Sequence, residues 1–218
     1  MTHLDLLDVM RGMLVMLAAQ SLAMLTPGPN MALMLAVAGQ RPHSLFVVVT
    51  GFASAGLMFS VISVAMLSGA MASGLSDALP YAQLAGSLYL GWLGVRWLQR
   101  SLSGGDIAAH PAAARGGLFA AGFLTNASNP KTLAFFSSIL AIYVAQVGNC
   151  SVAVWAGVAA VFLNSLLVHW SLGRLLQTGP VQRGFERRAT AIGGLAGSFF
   201  IVLAAAFGYA AVRQLVSG

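Results

Sequence analysis

The sequence predicts an all-α integral membrane protein with six transmembrane helices, arranged as two inverted three-helix repeats with broken first and fourth helices. Composition, six long apolar runs and a motif that recurs in both halves support this fold class. Hydrophobic residues occupy 58% of the 218 positions and only 7% are charged, whereas a soluble domain carries roughly 25% charged residues. With a mean hydropathy of +0.84, the composition argues against a soluble enzyme and against a disordered chain.

The charge pattern argues against further classes of protein. The formal net charge is +6, but the basic residues occur singly or in pairs. We therefore expect no nucleic-acid partner, because such binding needs clustered positive charge. Cys150 is the single cysteine, which excludes an intrachain disulfide and a cysteine-rich metal site. The sequence predicts no cofactor and no metal, and it indicates a lipid bilayer around the chain.

Six apolar runs are long enough to cross a bilayer. A spanning helix needs about 20 mostly apolar residues. Such runs cover about 12–38, 45–72, 81–99, 117–146, 151–173 and 190–212. The first and fourth runs are longer than one straight crossing requires, and both contain proline near the middle. These two runs therefore predict helices that are interrupted within the membrane.

The basic residues between the runs predict the orientation. In the six-span topology, one side of the membrane carries eight of the eleven basic residues: Arg41, Arg96, Arg100, Arg115, Arg174, Arg183, Arg187 and Arg188. The opposite side carries Arg11 and Arg213. Because cytoplasmic loops are enriched in Lys and Arg, we expect both termini to lie outside the cytoplasm.

A polar connection divides the chain into two halves. Residues 101–116 form a predicted cytoplasmic linker between a first three-helix repeat at 1–100 and a second at 117–218. Residues 25–30 and 124–129 both read Leu-Thr-x-x-x-Asn, and Leu-Ala-Gly-Ser occurs in the third helix of each half. Since three crossings are an odd number, the second half enters the membrane from the opposite face, as in the inverted repeats of many secondary transporters.

Three prolines lie at membrane depth in this topology: Pro27, Pro29 and Pro130. Proline removes a backbone donor and clashes with the preceding turn, which costs about 3 kcal/mol in a helix interior. Two prolines around Gly28 predict an unwound turn, and a membrane tolerates unwound backbone only inside protein or beside a water-filled cavity. A single proline would be typical of a simple kink, whereas interruptions in both halves favour a binding site.

Each interruption exposes the start of a half-helix, which has unpaired N–H groups and about half a positive charge. Such an end binds a carboxylate or another anion. Asn30 and Asn129 stand at these ends. Their side chains either cap the half-helices or contact a ligand through their amides, and the sequence leaves both roles open.

Lys131 directly follows Pro130 within the fourth apolar run. Burial and the positive helix end both disfavour its charge. The five acidic residues all lie in predicted tails or loops: Asp5, Asp8, Asp77, Asp106 and Glu186. An incoming anionic group would supply the missing partner of Lys131. Alternatively, the Lys131 side chain extends its ammonium group to the membrane interface.

His169 in the fifth run is the other strongly basic candidate at membrane depth. It either titrates in a proton-coupled cycle or is a neutral histidine hydrogen-bonded to a carbonyl, which is the commoner role. Asn164 lies five positions earlier, and we expect it on the same face. These two side chains are the candidate coupling residues.

Several motifs together resemble a known family. Residues 26–30 read Thr-Pro-Gly-Pro-Asn, and residues 129–131 read Asn-Pro-Lys, followed by Phe135 and Phe136. The third run contains a Gly-x-x-Tyr-Leu-x-x-Leu-Gly segment at 86–94. In these motifs and in length, nearly the whole chain resembles the lysine exporter (LysE/RhtB) superfamily of amino-acid efflux transporters.

The resemblance implies export of amino acids or close derivatives from the bacterial cytoplasm across the inner membrane, with protons as the coupling ion. It also implies that both interruptions are functional. The predicted substrate-binding residues are Thr26, Pro27, Gly28, Pro29, Asn30, Thr125, Asn129, Pro130 and Lys131. Separately, Gly193-x-x-x-Gly197 in the sixth run suits close helix packing, either within one protomer or in a homo-oligomer.

The chain departs from the family pattern in its second run. Many members carry an acidic residue there after a glycine-rich stretch, whereas here residues 51–56 lead into Leu57. This difference argues against carboxylate-based proton coupling and against a cationic substrate. We therefore expect a neutral, zwitterionic amino acid, with its carboxylate at Lys131 or at a half-helix end.

Two other classes of protein are weaker alternatives. A membrane-embedded lipid-modifying enzyme needs acid/base pairs, metal ligands or an activated nucleophile, and the spans offer little beyond His169, so no catalytic residue is predicted. A non-transporting scaffold or assembly protein would explain the hydrophobicity but not the paired interruptions. The sequence therefore predicts a transporter rather than an enzyme.

Overall fold

The computed structural model describes residues 6–26, 28–37, 42–72, 79–103, 117–147 and 151–217. These residues form eight helices and no strand, in agreement with the predicted all-α class. The helices are α1 (Leu6–Leu25), α2 (Pro29–Ala36), α3 (Pro42–Ala72), α4 (Leu79–Leu102), α5 (Gly117–Ala127), α6 (Pro130–Val147), α7 (Ser151–Leu176) and α8 (Gly179–Ser217).

Four helical segments within the described residues are long and apolar enough to cross a membrane: Leu6–Leu25, His43–Gly69, Val152–Leu176 and Arg187–Val216. Two shorter apolar segments accompany them, Gly117–Ala127 and Ser138–Val147. Many apolar side chains face outward from these helices, as a lipid-facing surface requires. The described residues therefore have the all-helical, outwardly apolar character of a membrane protein.

The third and fourth predicted spans, at 81–99 and 117–146, are not among these four long apolar segments. The reasons differ between the two. The helix α4 has 24 residues, but polar side chains such as Gln83 and Arg96 reduce its apolar character. The fourth predicted span is divided between α5 with 11 residues and α6 with 18 residues. This division shortens each continuous apolar segment.

Helix boundaries lie at both proline-containing motifs. The helix α1 ends at Leu25 and α2 begins at Pro29, and Gly28 between them is fully extended (φ 177°, ψ −172°). In the second half, α5 ends at Ala127 and α6 begins at Pro130. Proline is favourable at a first helical position because its missing N–H group would be unpaired there anyway.

Some predicted features lie outside the described residues. They include Pro27, the greater part of the predicted linker at 104–116, and the segment 148–150 that carries Cys150. The helix α4 continues through Leu102, so the predicted linker at 101–116 begins within a helix.

The helices of the two halves pack against each other. The helix α4 packs chiefly on α8, while α3 contacts α5, α6 and α7. Glycines allow the closest crossings, because a Cβ at Gly51 in α3 would lie 2.6 Å from the backbone nitrogen of Phe123 in α5. Likewise, a Cβ at Gly94 in α4 would lie 2.6 Å from the carbonyl oxygen of Gly197 in α8. Small residues at membrane helix crossings permit this approach.

Two apolar cores flank the centre of the molecule. The larger core joins α1, α3, α4, α6, α7 and α8, and it contains Phe135, Phe136 and Phe200. The smaller core joins α2, α3, α5 and α7, and it contains Met31 and Phe52. Side chains of both cores line a cavity at the two helix interruptions.

Candidate functional site

A cavity of about 50 Å³ lies where the two interrupted helices meet. One water molecule needs roughly 10–15 Å³ of such space, so the cavity has room for several waters or for part of a small solute. The lining residues are Gln20, Ala23, Met24, Thr26, Gly28, Pro29, Asn30, Met31, Asn126, Asn129, Thr132, Phe135, Phe136, Ser165 and His169. Both halves of the chain therefore contribute to one cavity.

The cavity brings residues of both predicted motifs together. Thr26, Gly28, Pro29 and Asn30 come from the first motif, and Asn129 comes from the second. The two motifs are almost a hundred positions apart in the chain, so only the packing of the two halves makes them neighbours.

Other predicted residues lie elsewhere. Thr125 is buried but does not belong to the lining, and Asn164 is half-buried and also lies outside it. Pro27 lies outside the described residues, as do the side chains of Pro130 and Lys131. The backbone of Lys131 belongs to the first turn of α6.

Asn126 connects the two interruptions through hydrogen bonds. Its Oδ1 accepts one bond from Nδ2 of Asn30 at 3.0 Å and another from the hydroxyl of Thr132 at 2.9 Å. Its Nδ2 donates to the carbonyl oxygen of Phe52 at 2.8 Å. A buried polar group that loses such a partner costs about 1–3 kcal/mol. This network therefore ties α2, α3, α5 and α6 together at the cavity wall.

The helix ends at the cavity are only partly capped by side chains. The hydroxyl of Thr26 donates to the carbonyl oxygen of Ala23 at 2.6 Å, which closes the last turn of α1. Gly28 is the N-cap residue of α2 and provides no side-chain hydrogen bond. Asn30 lies one position beyond the first residue of α2, so its amide does not cap the helix and instead bonds to Asn126.

The cavity combines helix ends of opposite polarity. The carboxyl ends of α1 and α5 carry partial negative charge, and the amino ends of α2 and α6 carry partial positive charge. All four ends meet at the two interruptions that border the cavity. This arrangement suits a small molecule that carries both a negative and a positive group.

His169 is buried and lines the cavity from α7. Its Nδ1 lies 3.0 Å from the carbonyl oxygen of Ser165 and 3.3 Å from the hydroxyl of that residue. A carbonyl oxygen only accepts, so the short distance favours the tautomer protonated at Nδ1, in which Nε2 carries the lone pair. The ring also packs at 5.1 Å from the ring of Phe52.

Asn164 belongs to a separate polar cluster between α1 and α7. Its Nδ2 donates to Oε1 of Gln20 at 2.8 Å and to the hydroxyl of Ser21 at 3.1 Å. Gln20 also donates to the carbonyl oxygen of Val161 at 3.0 Å and lines the cavity. The expectation that Asn164 shares a face with His169 is wrong, because five positions on an α-helix are about 140° apart.

Four polar lining residues were not among the predicted site residues: Gln20, Asn126, Thr132 and Ser165. Their signal in the sequence is a polar side chain in an otherwise apolar helix, which marks a functional position in membrane proteins. Asn126 also stands inside the recurring motif at 124–129. The sequence does not identify the partners of Gln20, Asn126 and Thr132, however, because those partners lie in other helices.

The described residues contain no group of three or more His, Cys, Asp or Glu side chains that could hold a metal ion. The polar groups at the cavity are amides, hydroxyls and one imidazole. Such a lining can bind and orient a small polar molecule through hydrogen bonds.

Comparison with known proteins gives the family. The profile of the LysE type translocator family matches residues 21–211. The threonine efflux protein of Salmonella typhimurium (strain LT2) is 35% identical over 122 residues, and that of Escherichia coli (strain K12) is 32% identical over 123 residues. Each alignment covers 54% of this chain and 58% of the relative, so it spans little more than half of those proteins. No solved structure matches the chain significantly.

The family profile spans almost the whole described chain, including both interruptions and every residue of the cavity except Gln20. Its description as a translocator is that of a transport protein and not of an enzyme. The fold, the apolar helices and the shared motifs agree with this match. The chain belongs to the LysE type translocator family.

Proposed function

We propose that the protein is a secondary transporter that exports neutral, zwitterionic amino acids or close derivatives from the bacterial cytoplasm across the inner membrane. One observation carries the proposal: one cavity is lined by residues from both helix interruptions. Substrate sites of secondary transporters lie at the interface of two repeats and use interrupted helices in this way. Two relatives named threonine efflux proteins support the substrate class.

The helix ends support a zwitterionic substrate. A carboxylate is stabilised at the amino ends of α2 and α6, where N–H groups and partial positive charge face it. An ammonium group is stabilised by carbonyl oxygens at the carboxyl ends of α1 and α5. The substrate-binding residues of this proposal are Thr26, Pro27, Gly28, Pro29, Asn30, Thr125, Asn129, Pro130 and Lys131.

Lys131 has a specific role in the proposal. The sequence predicts all five acidic residues in tails or loops, but the structure places Asp8 in the first turn of α1, exposed and paired with Arg11 at 3.7 Å. In this proposal, no carboxylate of the chain neutralises the lysine. The substrate carboxylate provides that charge when it binds. The contact between the substrate carboxylate and Lys131 then both binds the substrate and neutralises the lysine.

Export proceeds by alternating access in this proposal. Each half, 1–100 and 117–218, crosses the membrane three times with opposite orientation, and both termini lie outside the cytoplasm. Packing of α4 on α8 and of α3 on α7 pairs corresponding helices of the two halves, and this pairing is compatible with a pseudo-two-fold relation. Rocking of one half against the other opens the cavity first to one side and then to the other.

Protons drive export in this proposal, and His169 is the candidate coupling residue. Imidazole is the side chain whose ordinary pKa lies between pH 5 and 8, and His169 lines the cavity. Asn164 is connected to the cavity through Gln20. We place it in the same pathway as a hydrogen-bonding group that does not itself titrate.

An efflux screen tests the proposal. Inside-out vesicles that contain the protein take up individual labelled amino acids, with and without an imposed pH gradient, and vesicles without the protein serve as the control. We expect uptake of neutral amino acids above the control, and stronger uptake with the gradient. A protein that inserts normally but moves no amino acid in either condition would contradict the proposed function, and gradient-independent uptake would contradict only the proton coupling.

A further inference from the structure

The orientation of the Asn30 side chain is determined by its neighbours. Asn126 donates through Nδ2 to the carbonyl oxygen of Phe52, so its Oδ1 faces Asn30 and Thr132. An oxygen can only accept, and Asn30 therefore presents its NH₂ group to Asn126. The oxygen of the Asn30 amide must then point away from Asn126.

That oxygen is a buried acceptor. Oδ1 of Asn30 is shielded from solvent and has no hydrogen-bond partner among the described residues, and Asn30 lines the cavity. A buried acceptor without a donor is unfavourable and marks a position where a ligand or a water molecule supplies the missing bond. The site therefore has one defined acceptor whose direction is fixed by a second residue.

We propose that Oδ1 of Asn30 accepts a hydrogen bond from the α-ammonium group of the transported amino acid, and that Asn126 is the positioning residue that fixes this orientation. This inference rests on the proposed function and adds the group that recognises the amine. A carboxylate cannot take this position, because two oxygen acceptors repel each other. An ammonium group is a charged donor, and hydrogen bonds that involve a charged partner are about twice as strong as neutral ones.

The first test compares substrates with and without the amino group. Proteoliposomes report the KM for L-threonine and L-alanine, and competition assays report the affinity of 3-hydroxybutanoate and propanoate, which lack only the amine. We expect Asn30→Ala to raise the KM of both amino acids about tenfold or more, with little change for the two acids. Ser128→Ala is the matched control, because Ser128 is exposed near the second interruption and does not line the cavity.

The second test asks whether Asn126 acts through Asn30. We expect Asn126→Ala to reduce the preference for the amine, because the Asn30 amide can then rotate and present its NH₂ group to the cavity. The double variant should lose no more preference than Asn30→Ala alone, since coupled residues are not additive. Additive losses would overturn the positioning role. Asn30→Ala leaves the bonds of Asn126 to Phe52 and Thr132 in place, so the first test stands even when Asn126→Ala does not fold.

The outcomes separate this inference from the proposed function. A wild-type protein that moves neither amino acid contradicts the proposed function itself. A wild-type protein that exports them, together with an Asn30→Ala variant that keeps the full preference for the amine, overturns only the role of Asn30.

Discussion

At the residue scale, a few polar side chains line the cavity in helices that are otherwise apolar. Asn30, Asn126 and Thr132 form one hydrogen-bonded group at the cavity, and Ser165 and His169 form another. Inside a membrane protein, such groups are satisfied by one another or by the contents of a cavity, because the bilayer core offers no water. The oxygen of the Asn30 amide has no hydrogen-bond partner in the part of the chain that the structure describes, and it is therefore the most informative atom of the site.

Lys131 provides the sharpest residue-scale prediction. We expect Lys131→Met to abolish amino-acid efflux while membrane insertion stays normal, because the substrate carboxylate loses its cationic partner. Efflux assays together with membrane-fraction immunoblots measure the two effects. Arg96→Met is the matched control, since Arg96 is exposed on α4 and does not line the cavity. Normal export by Lys131→Met would remove the ligand role of this lysine.

His169 allows a prediction about pH. If the imidazole carries the coupling proton, the efflux rate should change between about pH 5 and 8, where imidazole titrates. We expect His169→Gln to flatten this profile, because glutamine forms hydrogen bonds but does not titrate. The measurement is the initial efflux rate across that pH range. A variant with the wild-type profile would show that His169 has a structural role and no coupling role.

At the scale of elements, two kinds of sequence feature shape the helices. Proline ends one helix and starts the next, as at Pro29 and Pro130, because it lacks the N–H group that a helix interior requires. Glycine sets how closely two helices cross, as at Gly51 and Gly94. The first feature sets where the helices that border the cavity begin and end, and the second allows helices of the two halves to pack closely.

The α3–α5 crossing gives an element-scale prediction. A Cβ at Gly51 would overlap the carbonyl oxygen of Phe119 and lie 2.6 Å from the nitrogen of Phe123. We expect Gly51→Ala to destabilise the protein by about 1–3 kcal/mol, as overpacking does. Gly69→Ala in the same helix is the matched control, because nothing lies within 4 Å of its Cβ position. Thermal unfolding in detergent compares the two, and equal midpoints would show that the helices can separate without cost.

At the scale of the whole molecule, the two halves are not independent units. The helix α4 packs on α8, and the cavity is lined by helices of both halves. The alternating-access proposal therefore requires that contacts between the halves change while each half keeps its own helices.

The proposed orientation can be tested with cysteine labelling. Cys150 is the single cysteine, and the proposed topology puts it outside the cytoplasm. We expect a membrane-impermeant maleimide to label Cys150 in intact spheroplasts. Ser103 is exposed at the end of α4, and a Ser103→Cys, Cys150→Ser variant should react only after permeabilisation. The reverse pattern would invert the orientation, and the Cys150→Ser variant alone controls for background.

The sequence by itself determined the all-helical membrane class and the positions of both helix interruptions, since composition and proline act locally. The ends of α1 and α5, at Leu25 and Ala127, lie within the motifs that predict them. Only the tertiary structure decided that Asn30 bonds to Asn126, 96 positions away, and that Asn164 turns toward α1. Such partners depend on the rotation and register of helices from different halves, and that geometry arises only when the helices pack.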